Sequence, residues 1–147
     1  MNTTANEVLE FVKENDIKFI RLGFCDLLGN PKNISIISNE LQSAFESGVS
    51  FDAHAICGFR DVTRSDLLLF PDPATLTVLP WRPGPGRVAH FYCDIKNPDG
   101  SEYLHDGRVL LKQVSQRAEK MGYVCKIGAE CEFYLFKTDE HGEPTDV

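Results

Sequence analysis

Gly128-Ala129-Glu130-Cys131-Glu132-Phe133 lies inside a longer run, Tyr123 to Lys137, whose spacing predicts a β-strand. Side chains on a strand alternate between its two faces. Glu130 and Glu132 then share one face, with Tyr134 and Phe136 beyond them. Cys125, Ile127, Ala129, Cys131, Phe133 and Leu135 share the other, and that oily face is expected to be buried. Two carboxylates side by side repel each other and are poor strand formers. A hard divalent cation with oxygen ligands compensates for both. Glu-x-Glu also occurs on solvated strands, so the pair alone leaves a metal role and a surface role open.

Upstream of this run, Asp106 is placed to cap a helix reaching Met121, with Leu110, Val114, Ala118 and Met121 along one stripe and Gly122 ending it. Further back the chain is rich in short strands. Thr4 to Asn15 reads as a helix with Val8, Leu9, Phe11 and Val12 apolar. Ile17 to Phe24 and Lys32 to Ile37 read as a hairpin about the turn Asp26-Leu27-Leu28-Gly29-Asn30-Pro31. Ser38 or Asn39 is the expected cap of a second helix, with Leu41, Ala44 and Phe45 inward and Gly48 at its end. Val49 to Arg64 reads as an irregular loop, ordered or partly mobile. Leu67 to Phe70, Leu76 to Leu79 and Arg87 to Lys96 read as strands kept short by prolines. Asn97-Pro98-Asp99-Gly100-Ser101 is a tight turn.

A content of 42% hydrophobic and 25% charged residues is that of an ordinary globular protein. The net charge of -7 argues against a nucleic-acid partner. No apolar run is long enough to span a bilayer, and Met1 to Asp16 lacks a signal-peptide core. Five cysteines without C-x-x-C spacing read as reduced thiols in a cytoplasmic protein. Cys25, Cys93, Cys125 and Cys131 fall in strand-like stretches and are expected to be buried. Arg82-Pro83-Gly84-Pro85-Gly86-Arg87 lacks the amides and the following Lys of a phosphate loop and reads as a surface connection. The polar, turn-rich stretch after Lys137 follows a strand that still needs partners, so the chain reads as a fragment.

Several pieces carry a resemblance in order and spacing. They are Phe24-Cys25-Asp26 with Gly29 and Lys32, Gly48-Val49-Ser50-Phe51-Asp52, Ile56-Cys57-Gly58-Phe59 and Ser65-Asp66-Leu67. Pro71-Asp72-Pro73, Pro80-Trp81, Cys93-Asp94, Pro98-Asp99-Gly100 and Gly128-x-Glu130-x-Glu132-Phe133 follow. Together they make the chain resemble the N-terminal part of a type I glutamine synthetase, from roughly Asp16 to Glu143. The resemblance implies an α+β fold: a β-grasp domain over residues 1–100, then a helix and the opening strand of an incomplete catalytic domain over residues 101–147.

It also implies the chemistry. A glutamine synthetase activates the glutamate side chain with ATP as γ-glutamyl phosphate, and ammonia displaces the phosphate. Mg²⁺ or Mn²⁺ neutralises phosphate charge and holds the transferring group in line. By resemblance Glu130 and Glu132 are metal ligands, with Glu130 nearer the nucleotide and Glu132 nearer the glutamate. Asp52 matches the aspartate that helps bind and deprotonate ammonium in a neighbouring subunit, and Asp66 matches a second acidic position. The partners implied are glutamate, ammonia and ATP, and self-association into a ring-forming homo-oligomer, a dodecamer at full length.

This chain has Ala53-His54-Ala55 where the commoner motif has Gly-Ser-Ser, so a hydroxyl is lost and any positive φ at Ala53 would be strained. A glutamate–amine ligase of the same superfamily, and a non-catalytic interaction module of the same fold, are the alternatives. The apolar Phe51, Ile56 and Phe59 suggest that the Asp52 loop is covered by a partner surface. The chain by itself is expected to bind Mg²⁺ or Mn²⁺ weakly and to make no glutamine.

Overall fold

The computed structural model describes residues 4–81 and 85–145. Helix α1 (Ala5–Glu14) opens on a capping box: the Thr4 hydroxyl accepts from the Glu7 amide and the Glu7 carboxylate accepts from the Thr4 amide. Val8 and Val12 are its buried face, four residues apart. Strands β1 (Ile17–Cys25) and β2 (Pro31–Ile37) form the expected hairpin, in register from Phe19 opposite Ile37 to Cys25 opposite Pro31. Asp26 builds the turn between them. Its carboxylate accepts from the amides of Leu28 and Asn30 and from the Asn30 side chain, and the Asn30 side chain foremost holds it below the usual carboxylate range.

Ser38 and Asn39 do not cap the second helix. They form a single 3-10 turn, and α2 (Leu41–Ser47) starts after it with no side-chain cap. Gly48 ends α2 at φ 73°, where a Cβ would also lie 2.7 Å from the Phe70 ring. The chain continues as β3 (Val49–Asp52), β4 (Asp66–Pro71), β5 (Thr77–Val78) and β6 (Arg87–Lys96). The sheet order is β2-β1-β6-β4-β3, with β5 paired to β6. Among the described strands only β1 and β6, at the centre, run parallel. Val8, Val12, Leu41 and Ala44 of the helices join Ile20, Leu22, Leu67, Leu69, Phe91 and Ile95 of the strands in one buried cluster. This is the α+β, β-grasp arrangement that the resemblance implies.

Phe91 is the largest fully buried side chain, on the central strand, with the Phe45 ring edge-on to it at 5.9 Å. Phe91→Ala should lower the unfolding free energy by about 3–5 kcal/mol, because the surrounding strands cannot collapse into the space. Urea unfolding checks this, and a loss below about 1 kcal/mol would mean that the core lies elsewhere.

Several expectations are corrected. Val49 to Arg64 is not an irregular loop throughout: its first four residues are β3, paired antiparallel to β4, and 3-10 turns at Ala53–Ala55 and Val62–Arg64 follow. Phe51 is buried against Phe24, with ring centroids 5.0 Å apart, and Ile56 and Phe59 pack on the same core. These apolar groups are covered by their own chain, so they do not call for a partner surface. The strand expected over Leu76 to Leu79 is only Thr77–Val78. Among the five cysteines Cys93 alone is buried. Cys25 ends β1 at the turn of the hairpin, opposite Pro31, and Cys125 and Cys131 follow the last helix in an exposed stretch.

Asp106 caps α3 (Gly107–Lys120) as expected, accepting from the Arg108 amide. Its apolar stripe is not buried: Leu110, Val114 and Met121 are exposed, and Val109 is the helix's one buried residue. Residues 123–137 join no strand among the described residues, although the alternation is there. A strand is a ladder of hydrogen bonds to a neighbouring strand, and among the described residues no strand pairs with this stretch. The connection at Arg82-Pro83-Gly84 lies outside the described residues. Among the described residues no helix is long and apolar enough to cross a membrane.

Candidate functional site

The register of β3 and β4 sets Asp52 directly opposite Asp66, fourteen residues away in the chain. The Ala53 amide donates to the Ser65 carbonyl at 2.7 Å just beyond them. A bonded 53/65 pair makes 52/66 the non-hydrogen-bonded kind, in which side chains approach most closely. Both aspartates are exposed, and like charges opposite one another destabilise a sheet. The pair is suited to attract a small cation and to accept a proton from it. The His54 amide donates to Asp52 Oδ1 at 2.9 Å, which fixes one carboxylate oxygen toward the turn. Ala53 is fully buried, and Asp16 is the one non-glycine residue with positive φ among the described residues. Alanine therefore replaces glycine at position 53 without backbone strain.

The turn carrying Asp52 is fastened to the body from three sides. Gly58, at φ 80°, leaves no space for a Cβ, which would lie 2.6 Å from Leu27 Cδ2. Phe59 stacks toward Phe24 at 6.3 Å. The buried Tyr103 hydroxyl donates to the Phe59 carbonyl at 2.6 Å. Arg60 bonds Asn97 and lies over the Tyr103 ring at 5.3 Å. Tyr103 and Arg60 carried no motif in the sequence, and only the fold brings them to this loop.

Glu130 and Glu132 lie in the exposed stretch after α3, and neither is held by a hydrogen bond or ion pair among the described residues. Two free carboxylates fit one side of a Mg²⁺ or Mn²⁺ site. Among the described residues no group of three or more His, Cys, Asp or Glu side chains could close such a site. The helix before them is anchored by charge. Arg108 bonds Asp72 and Asp94, and Lys112 reaches Asp94 at 2.6 Å. Burial works to raise the Asp94 carboxyl, but Lys112 and Arg108 outweigh it and hold it below the usual range. Burial pushes the Cys93 thiol up to about 12, so it carries no thiolate for nucleophilic work.

Two family models match this chain: "Glutamine synthetase, beta-Grasp domain" over residues 16–98 and "Glutamine synthetase, catalytic domain" over residues 104–147. A glutamine synthetase of Methanosarcina mazei is 48% identical over 143 residues, which is 97% of this chain and 32% of the relative. That of Halobacterium salinarum is 43% identical over 145 residues, with the same coverage. This chain thus spans about a third of the length of the curated relatives it matches. Among solved structures it is similar to a Plasmodium falciparum glutamine synthetase, with a TM-score of 0.72 and 26% identity, covering 81% of this chain and 23% of that one. It is also similar to a GmaS–ADP complex, with a TM-score of 0.70 and 26% identity, covering 78% of this chain and 26% of that one.

Proposed function

The chain belongs to the glutamine synthetase family, and from that premise we propose that it supplies the N-terminal part of an ATP-dependent glutamate–ammonia ligase. The observation that carries the reading is the opposition of Asp52, at the position that the resemblance assigns to ammonium, and Asp66, at a second acidic position, across β3 and β4. We place the division near residue 100, with the β-grasp domain before it and the start of the catalytic domain after it. Asp52 and Asp66 attract ammonium, and Asp52 takes its proton, so that the free amine can attack the activated carboxyl. Glu130 and Glu132 would hold Mg²⁺ or Mn²⁺ beside ATP, with the remaining ligands coming from the rest of a synthetase catalytic domain. The bound metal supplies charge neutralisation at the transferring phosphoryl group. The working form is a ring of identical subunits in the cytoplasm, with glutamate, ammonia and ATP as its small-molecule partners.

The test joins this chain to the remaining two thirds of the Methanosarcina mazei relative, in place of the matching 143 residues. The joined protein should form γ-glutamyl hydroxamate from glutamate, hydroxylamine and ATP, and glutamine from ammonium. The 147-residue chain by itself should form neither, because preorganised charge drives the reaction and most of that charge is supplied elsewhere. A joined protein that assembles but uses only larger amines would favour the glutamate–amine ligase, which Ala53-His54-Ala55 leaves open. One that assembles and uses none would favour the interaction module.

A further inference from the structure

Tyr103 occupies a position that the reaction above does not use. It is 4% exposed, and its hydroxyl reaches a carbonyl 44 residues earlier in the chain. Its own backbone is fixed between two elements: the amide donates to the Ile95 carbonyl at 3.1 Å, and the carbonyl accepts from the Asp106 amide at 3.0 Å. Asp106 in turn accepts from the Ile95 amide at 3.1 Å and caps α3. Tyr103 is therefore set rigidly between the end of β6 and the start of α3.

On its other side a chain of one-turn hydrogen bonds runs back to the carboxylates. The Phe59 amide donates to the Ile56 carbonyl at 3.2 Å, and the Ile56 amide to the Ala53 carbonyl at 3.1 Å. The Ala53 amide donates to the Ser65 carbonyl at 2.7 Å. Ala53 and Ser65 are the immediate neighbours of Asp52 and Asp66. The Phe59 ring meets the Tyr103 ring edge-on at 5.5 Å, so the contact is both packed and hydrogen-bonded. Burial raises the Tyr103 hydroxyl above its ordinary pKa, which keeps it a donor throughout the neutral range.

We propose that Tyr103 is a positioning residue for the Asp52–Asp66 pair. Through the Phe59 carbonyl it fixes the pair's turn relative to α3, the helix that leads to Glu130 and Glu132. Its kinetic consequence rests on the ligase reading given above, but its structural consequence does not. Tyr103→Phe keeps the ring and removes the donor that holds the half-buried Phe59 carbonyl. Tyr103→Leu removes the ring as well.

The experiment has two arms. In the 147-residue chain, hydrogen exchange at the amides of Ala53, Ile56 and Phe59 should speed up about tenfold in Tyr103→Phe. Exchange at Phe91 and Ile95 should stay unchanged. In the joined protein, the same variant should raise KM for ammonium about five- to tenfold. KM for glutamate, and kcat at saturating ammonium, should stay within about twofold. Tyr103→Leu should move both readouts further in the same direction. Unchanged exchange in the loop would overturn the inference. So would equal rises in both KM values, which mark a general loosening. If the unsubstituted joined protein makes no γ-glutamyl product, the ligase reading fails, and the exchange result alone decides whether Tyr103 positions the pair.

Discussion

Glu132→Ala in the joined protein should lower γ-glutamyl hydroxamate formation by about 10³-fold, with Glu130→Ala similar. The size of the effect follows from the site's composition. This chain offers two adjacent carboxylates that no lysine or arginine neutralises, and no larger group of metal-binding side chains occurs among its described residues. Each glutamate is then an appreciable share of the negative charge around its ion, and removing one leaves the phosphoryl oxygens poorly balanced. The check is twofold. Steady-state rates give the loss, and Mn²⁺ titration followed by electron paramagnetic resonance shows whether affinity falls with it. A Glu132→Ala protein that keeps its rate and its Mn²⁺ affinity would remove the glutamate pair from the site.

Much of the fold was legible because its signals are local. Thr4 and Glu7 spell a capping box, the Asp26–Asn30 turn joins two alternating runs, and Asp106 precedes a helical period. Each of these elements stands where the sequence puts it. Apart from the expected cap at Ser38 or Asn39, the main misreadings occur where structure depends on distant partners. Val49–Asp52 is four residues long and ends in an acidic group, so nothing local marks it as a strand; its pairing to Asp66–Leu69 makes it one. The same pairing turned Asp52 and Asp66, which the sequence showed only as two acidic positions in one region, into an opposed pair.

The tail fails in the opposite sense. Its alternation is strong from Cys125 to Phe136, yet it forms no ladder and its large apolar side chains, Ile127, Phe133 and Leu135, are exposed. Period-two patterning states which sides a strand would have, and a neighbouring strand has to be present before the strand exists. The exposed stripe of α3 belongs to the same unpartnered surface. Apolar exposure on this scale is what a joined catalytic domain would cover.

Asp52→Ala should be nearly as damaging as Glu132→Ala, for a different reason. Asp52 stands on the β-grasp sheet, fixed by the His54 amide and by the turn that Tyr103 fastens, and the resemblance puts its target on another subunit. If so, the two losses fall on different polypeptides of one site. Neither variant should recover by itself at any metal or ammonium concentration, since each lacks a group that nothing else replaces.

Mixing settles the claim that the aspartate loop and the glutamate pair of two subunits make one site. Joined protein carrying Asp52→Ala is dissociated, mixed with joined protein carrying Glu132→Ala, and allowed to reassemble. In a random ring of equal parts, about a quarter of the interfaces pair an intact Asp52 with an intact Glu132, and hydroxamate formation should return to roughly that share. Mixed rings that assemble but stay as inactive as either parent would contradict the shared site and put Asp52 to work within its own subunit or not at all.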